Sequence, residues 1–206
     1  MPYRPRTGTA GLVFHVLNRA VRRERLFHHT GDYRAFLRVI AQAQARIPLR
    51  ILAYCVMPNH FHLVAWPSDD HELSGFMHWS TATHSKRWHS HRQTAGTGSV
   101  YQGRFKAFPV QTDPHFLAVC RYVEQNPLRA GLVSRAEDWE WSSLCDRCNN
   151  CDHIKLTEWP IPQPENWLDQ VNHVESTPVR EIRTSVLRSV PYGSESWRKD
   201  LGCLFD

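Results

Sequence analysis

Two apolar runs separated only by Pro58 and Asn59 constrain the fold more than any other feature of this 206-residue sequence. Residues 49–57 and 60–66 are rich in apolar and β-branched side chains, which predicts two strands. Proline followed by asparagine is a turn signal, and a connection this short joins antiparallel neighbours. The sequence therefore predicts a β-hairpin over residues 49–66.

The flanking segments extend this hairpin into a mixed fold. Residues 12–18 alternate like a strand and residues 100–110 are mostly extended, while helices are predicted over residues 30–46 and 72–89 and from Pro114 to about residue 125. The order β-α-β-β-α-β-α predicts an α+β fold, with a ferredoxin-like antiparallel sheet flanked by helices. Prolines and cysteines follow Trp141 without a convincing strand. We therefore expect a first domain over residues 1–145 and a C-terminal helical appendage over residues 146–206, with helices near 165–173 and 178–190.

Composition and charge narrow the class of protein. Hydrophobic residues make up 41% of the chain and charged residues 22%, which excludes a wholly disordered chain. No apolar run approaches the ~20 residues of a membrane span, and no signal-peptide core follows the N-terminus, so the cytoplasm is the expected location. Residues 1–50 carry ten arginines against two acids. Because guanidinium groups bind phosphate bidentately and stack on bases, this block favours a nucleic-acid partner over a merely solvated surface.

His60 and His62 are the first candidate metal ligands. Side chains two apart on a strand project from one face, about 7 Å apart along the strand, so two imidazoles can reach one divalent cation. In a chain with 13 histidines, the spacing alone leaves ordinary polar strand residues equally open. A second pair, His89 and His91, lies where a helix gives way to a loop, and we interpret it as a solvated surface pair.

Tyr122 and Asn126 lie four residues apart on the third predicted helix and share a face. A phenol and an amide beside two histidines suggest phosphoryl transfer, because a cation that withdraws charge from the phosphate helps a weak phenol nucleophile. The alternative is a helix tyrosine that packs against the sheet with its hydroxyl satisfied.

These motifs together resemble those of a known family. The run Met57-Pro58-Asn59-His60-Phe61-His62-Leu63-Val64 has the form of the HUH signature, in which two histidines flank a bulky hydrophobe. With Tyr122-Val123-Glu124-Gln125-Asn126-Pro127-Leu128-Arg129-Ala130-Gly131, it is similar to the single-tyrosine HUH transposases, and most of all to the REP-associated tyrosine transposases. Tyr101-Gln102-Gly103-Arg104-Phe105-Lys106 and Trp141-Ser142-Ser143 fit the same branch. The likeness covers about residues 4–145, which would make residues 1–145 the transposase domain.

The resemblance implies a reaction and a role for each matching residue. His60 and His62 correspond to the metal-binding pair, Asn126 to the third, amide ligand, and Tyr122 to the nucleophile, with Gln125 the less suitable amide. The implied activity is metal-dependent cleavage and joining of single-stranded DNA through a 5′-phosphotyrosine, with Mg²⁺ or Mn²⁺ as cofactor. The implied partner is single-stranded hairpin DNA of the repetitive extragenic palindrome type, which would place the protein at the bacterial nucleoid.

The basic residues supply candidate DNA contacts. Charged grooves with stacking side chains are the usual way to hold a single strand. The residues that we expect to contact DNA are Arg4, Arg6, Arg19, Arg22, Arg23, Arg25, Arg104 and Lys106.

The cysteines divide into two groups. Cys55 and Cys120 lie in apolar segments and are expected to be small core residues. Four potential zinc ligands, Cys145, Cys148, Cys151 and His153, crowd into nine residues. Because structural zinc sites usually join two separated knuckles, the sequence favours free thiols over bound Zn²⁺. This cluster also departs from what the resemblance implies.

Two other classes of function stay open at this stage. A ferredoxin-like sheet with basic arms could bind single-stranded nucleic acid passively, in which case neither Tyr122 nor a metal would matter. A metal-dependent phosphodiesterase could use water in place of tyrosine, and it would cleave DNA without a covalent protein–DNA product.

Overall fold

The computed structural model describes residues 10–174, 177–188 and 190–205. Its centre is an antiparallel sheet of four strands: β1 (Val13–Arg19), β2 (Arg50–Met57), β3 (His60–Trp66) and β4 (Lys106–Val110). The spatial order is β2-β3-β1-β4, and β2 pairs with β3 directly across the Pro58–Asn59 turn. This arrangement confirms the predicted α+β fold, with its antiparallel sheet and flanking helices.

One face of the sheet is covered by two long helices, α1 (Thr30–Arg46) and α2 (Glu72–Arg92). The alternate residues of the strands that face them are apolar and fully buried, among them Val16, Phe61 and Leu63. Phe61 therefore anchors β3 on this side, and the residues on either side of it face the opposite way.

The opposite face of the sheet is covered by the C-terminal half of the chain. The helix α3 (Pro114–Glu124) packs on β2 and β3 and is followed by a single turn, α4 (Asn126–Arg129). Four more helices follow in the described part of the chain: α5 (Ser143–Asn149), α6 (Trp167–Asn172), α7 (Thr177–Arg188) and α8 (Glu195–Phe205). Cys55 and Cys120 are fully buried between the sheet and α3, which confirms them as core residues.

The structure departs from the predicted elements at four places. The last strand occupies only Lys106–Val110, because residues 101 and 102 pair separately with the end of β1. The third helix ends at Glu124 and restarts as α4, with Pro127 in the first turn, where a missing N–H costs little. Helices α5 and α8 were not predicted. Residues 145 and 146, where we divided the chain, lie inside α5, and the division into two domains stays a prediction.

No helix in the described part of the chain is both long enough and apolar enough to cross a membrane.

A buried carboxylate joins the end of α3 to the C-terminal helices. Glu124 is fully buried, and it accepts hydrogen bonds from the Ser143 hydroxyl, from the Arg147 guanidinium and from the Trp167 indole N–H at 2.8 Å. Ser143 and Arg147 belong to α5 and Trp167 to α6. Since a buried charge is tolerated only when it is paired and hydrogen-bonded, these contacts fix α3 relative to both helices.

We predict that Glu124→Ala lowers the free energy of unfolding by about 3 kcal/mol, because it leaves the largely buried guanidinium of Arg147 without its carboxylate and the Trp167 indole N–H without its acceptor. Urea denaturation followed by circular dichroism measures the change. The matched control is Glu195→Ala, which removes an exposed ion pair with Lys199 on α8 and should cause no measurable change. Equal effects of the two substitutions would show that the Glu124 contacts do not hold the layer together.

Candidate active site

The two histidines of the HUH motif lie side by side on the face of β3 that α3 covers. Their ring centroids are 4.9 Å apart. The Nδ1 of His60 is 2.6 Å from the side-chain Oδ1 of Asn59, and the side-chain Nδ2 of Asn59 donates to the Arg23 carbonyl. Since Asn59 Oδ1 can only accept, His60 carries its proton on Nδ1, and its Nε2 is left with a free lone pair.

A third histidine, His15 on the neighbouring strand β1, is hydrogen-bonded to His62. It is fully buried, and its Nε2 lies 2.8 Å from Nδ1 of His62. A proton on Nδ1 of His62, donated to His15, leaves Nε2 of His62 free to bind a metal, which is the usual arrangement behind a ligating histidine. The sequence reasoning did not single out His15, because a histidine between Val13 and Leu17 on a buried strand looks like an ordinary member of the alternation.

Burial keeps these imidazoles neutral. It lowers the pKa of His15 to about 3, and burial together with the Arg19 charge lowers the pKa of His60 to about 4. For His62, burial and then the neighbouring positive groups hold the pKa well below its usual range. Neutral imidazoles have the lone pair that a metal ion requires, so His60 and His62 are in the protonation state for metal binding at neutral pH.

The end of α3 brings Tyr122 to the histidines, and the start of α4 brings Asn126 to the same cleft, so the two residues lie on consecutive helices and not on the single helix that was predicted. The Tyr122 ring lies edge-on to His15 and to His62, with centroids 5.8 Å apart in each case. Asn126 donates its amide nitrogen to the Tyr122 carbonyl at 2.9 Å, which leaves its carbonyl oxygen as the free ligating atom. Gln125 is turned away, because its amide nitrogen donates to the carbonyls of Val171 and His173.

A cleft of about 350 Å³ opens over these groups, and we call it the histidine cleft. Two buried nitrogens at its wall, Nε of Arg19 and Nη1 of Arg129, have no hydrogen-bond partner in the described part of the chain. The Arg129 guanidinium also lies over the Tyr122 ring, 4.7 Å from its centroid. Burial lowers the pKa of Arg129, and Tyr122 opposes that shift. Unpaired guanidinium N–H groups beside a phenol form a ready binding site for an anion such as phosphate. The polar residues that line the cleft are Arg19, His60, Tyr122, Asn126, Arg129 and Arg183.

A second depression of about 420 Å³, the basic groove, adjoins the histidine cleft and shares Arg19, Val186 and Leu187 with it. The structure brings four of the predicted DNA contacts to its wall: Arg19, Arg23, Arg104 and Lys106. Arg22 and Arg25 are exposed and do not line it. Arg4 and Arg6 lie outside the described residues. Sequence reasoning missed Arg129 and Arg183, because the family likeness did not single them out and neither belongs to the arginine-rich block.

The residues of the histidine cleft fit a divalent metal ion. At the wall of the cleft, His60 leaves Nε2 free and Asn126 leaves its carbonyl oxygen. His62, beside His60, has a free Nε2 when its Nδ1 donates to His15. Two imidazoles and one amide oxygen on one side of a cleft leave the remaining positions of a six-coordinate ion open to water and phosphate oxygens. The arrangement thus combines a candidate metal-binding set, a phenol and two unpaired guanidinium N–H groups around one space.

The cysteine cluster lies elsewhere. Cys145 Sγ and Cys151 Sγ are 3.5 Å apart, and His153 is hydrogen-bonded to Asp146. Cys148 is exposed.

The chain was compared with known proteins. A Haemophilus influenzae protein named as a REP-associated tyrosine transposase is 24% identical over 151 residues, which cover 69% of this chain and 84% of that protein. A solved structure of a REP-associated tyrosine transposase bound to a REP hairpin shares the fold, with a TM-score of 0.55 and 21% identity, and the match covers 80% of this chain and 99% of that one. Both agree with the resemblance seen in the motifs. Residues 9–126, more than half of the chain, match the sequence model of the family described as "Transposase IS200 like", and the chain therefore belongs to the IS200-like transposases.

Proposed function

We propose that this protein is a metal-dependent endonuclease and strand transferase for single-stranded DNA, with Tyr122 as nucleophile. The observation that carries the proposal is the convergence in one cleft of Tyr122, the ligands His60 and Asn126, and unpaired N–H groups of Arg19 and Arg129. A DNA substrate places the activity at the nucleoid.

Each group has a separate part in the reaction. His60, His62 and Asn126 would hold Mg²⁺ or Mn²⁺, which when bound withdraws charge from the scissile phosphate. Arg19 and Arg129 donate to the other oxygens of that phosphate. Because burial already fixes both side chains, little reorganisation is needed when the reaction occurs. Tyr122 attacks the phosphorus in line with the bond to the 3′ oxygen.

The step balances without a further reactant. A bond forms between the Tyr122 oxygen and phosphorus, and the bond from phosphorus to the 3′ oxygen breaks. The phenolic proton ends on the departing oxygen, which leaves a free 3′-hydroxyl and a 5′-phosphotyrosine. Because the energy of the phosphodiester is kept in the new bond, attack by another 3′-hydroxyl joins strands without nucleotide hydrolysis.

The substrate class follows from the relatives and from charge. The related structure is named as bound to a REP hairpin, and here a basic groove lined by Arg19, Arg23, Arg104 and Lys106 runs into the histidine cleft. We propose that the groove holds the backbone of a hairpin-bearing single strand and leads it to Tyr122.

We predict that Tyr122→Phe abolishes cleavage, by roughly 10⁴-fold or more, because losing a nucleophile leaves only binding and electrostatic effects. A labelled single-stranded hairpin with Mn²⁺, run on a denaturing gel, shows both the cut strand and the covalent adduct. Tyr192→Phe is the control, since Tyr192 packs against His115 outside the cleft.

Three results separate the alternatives. An adduct mapped to Tyr122 supports the proposal. Cleavage by Tyr122→Phe without an adduct would show a phosphodiesterase that uses water, and DNA binding with no cleavage by the unaltered chain would show a passive binding module.

We predict that His60→Ala combined with His62→Ala removes Mn²⁺ binding and leaves DNA binding largely intact. Electron paramagnetic resonance of free Mn²⁺ measures the metal directly. His15→Gln should weaken binding by about 10–100-fold, as expected for a residue that orients a ligand.

The matched control is the other histidine pair, His89→Ala with His91→Ala. His89 is already engaged by Thr94 and by the Gly98 carbonyl, so Mn²⁺ affinity should not change. If the two double variants lose metal equally, the assignment of the ligands is wrong.

We predict that Arg23→Gln with Lys106→Gln flattens the dependence of DNA affinity on salt by about 1.4 log units per log unit of salt, or about 0.7 for each lost phosphate contact. The same loss of charge on the far face, through Arg38→Gln and Lys86→Gln on α1 and α2, should leave the slope unchanged. Fluorescence anisotropy at several salt concentrations measures both slopes, and equal slopes for the two variants would rule out the groove as the DNA path.

A further inference from the structure

A second set of metal-ligating side chains lies outside the histidine cleft, where α5 ends and the chain turns back. One ligand atom from each of Asp146, Cys151 and His153 lies within 4.8 Å of the other two. The Sγ of Cys145 is 3.5 Å from that of Cys151. We refer to these four residues as the Cys–His cluster.

The backbone brings the cluster together over a very short stretch. Cys145 and Asp146 lie on α5, and the next residues turn through left-handed conformations at Asn150 (φ 52°) and Asp152 (φ 47°). Residues with side chains adopt such conformations uncommonly, although Asn and Asp tolerate them best. The double reversal places Cys151 back over the helix, and it carries His153 to Asp146.

The surroundings of Asp146 also favour a cation. Its carboxylate is buried, and it accepts a hydrogen bond from the hydroxyl of the fully buried Tyr54 at 2.6 Å. Its other oxygen is 2.7 Å from Nδ1 of His153. Buried carboxylates in proteins are paired or coordinate metal ions, so a cation beside Asp146 and His153 would be electrostatically favourable.

We propose that Cys145, Asp146, Cys151 and His153 bind one zinc ion. Two thiolates, an imidazole and a carboxylate provide the four donors of a tetrahedral site, and a site with every position filled by protein is structural. Thiolates select zinc over the hard ions suited to the histidine cleft. The set differs from the one that the sequence suggested, because Asp146 replaces the exposed Cys148. The proposal does not depend on the proposed function.

The position of the cluster indicates what the ion does. The segment that follows runs along β2, an edge strand of the sheet. Thr157 N–H donates to the Ile51 carbonyl, and the Trp159 indole N–H donates to the Leu52 carbonyl, each at 2.8 Å. An ion at the cluster would fasten the beginning of this segment, and so keep the edge of the sheet covered.

The test is the metal content of the full chain, produced with zinc in the medium and purified in a reductant. We expect one zinc ion per chain by elemental analysis. Cys151→Ser and His153→Gln, at partly exposed positions that leave the core intact, should each lose most of it. Cys148→Ser should retain it, as the matched control.

A second measurement uses cobalt, so that the result does not depend on variants that fold poorly. Co²⁺ added to the unaltered chain should give the near-ultraviolet absorption of a thiolate–cobalt bond. His60→Ala, in the histidine cleft, should keep that band, which separates this site from the other one.

Each remaining outcome would overturn the proposal. An unaltered chain without zinc, a mass lower by two hydrogens from a Cys145–Cys151 disulfide, or no thiolate–cobalt band would exclude the site. Zinc lost equally from Cys148→Ser would show that the four donors are wrong.

Discussion

The buried carboxylate of Glu124 is the interaction on which the geometry of the candidate site depends. It closes the last turn of α3 against Ser143, Arg147 and Trp167. The next two residues point in different directions. Gln125 donates to backbone carbonyls of the C-terminal region, and Asn126 lines the cleft. With the carboxylate held on one side, the rotation of α3 about its axis is fixed, and Tyr122 is held against the histidine face of the sheet.

The histidine cleft separates two kinds of polar group. The imidazoles of His15, His60 and His62 form one layer, and burial is the main cause that lowers the pKa of each and keeps it neutral. The guanidinium groups of Arg19 and Arg129 form the other, and their unpaired N–H groups carry positive charge to the same space. Neutral ligands can bind a metal without repelling an anion, and fixed cations can bind the anion without competing for the metal. Tyr122 lies between the two layers.

Local patterns in the sequence were enough to predict much of this arrangement. The strands follow from alternation and the short turn, and the spacing of Tyr122 and Asn126 indicates a shared face, although the two lie on consecutive helices. Contacts between distant parts of the chain were not predictable in this way. His15 becomes distinctive only beside His62, and Arg183 becomes relevant only because α7 reaches the cleft. In the Cys–His cluster, the left-handed turns at Asn150 and Asp152 were not predictable from local patterns. They bring Asp146, and not Cys148, close to Cys151 and His153. Arg22 and Arg25 belong to the same charged block as Arg23, yet charge counting could not tell which of them turns toward the groove.

Helix α7 forms part of the wall of both depressions, through Val186 and Leu187, and adds Arg183 to the histidine cleft. It lies beyond residues 9–126, which match the family. Part of the wall around the groups proposed for cutting therefore comes from a stretch of the chain that follows the family match. Substitutions at Val186 or Leu187 would change the shape of both depressions while leaving in place every side chain proposed to cut or to contact DNA.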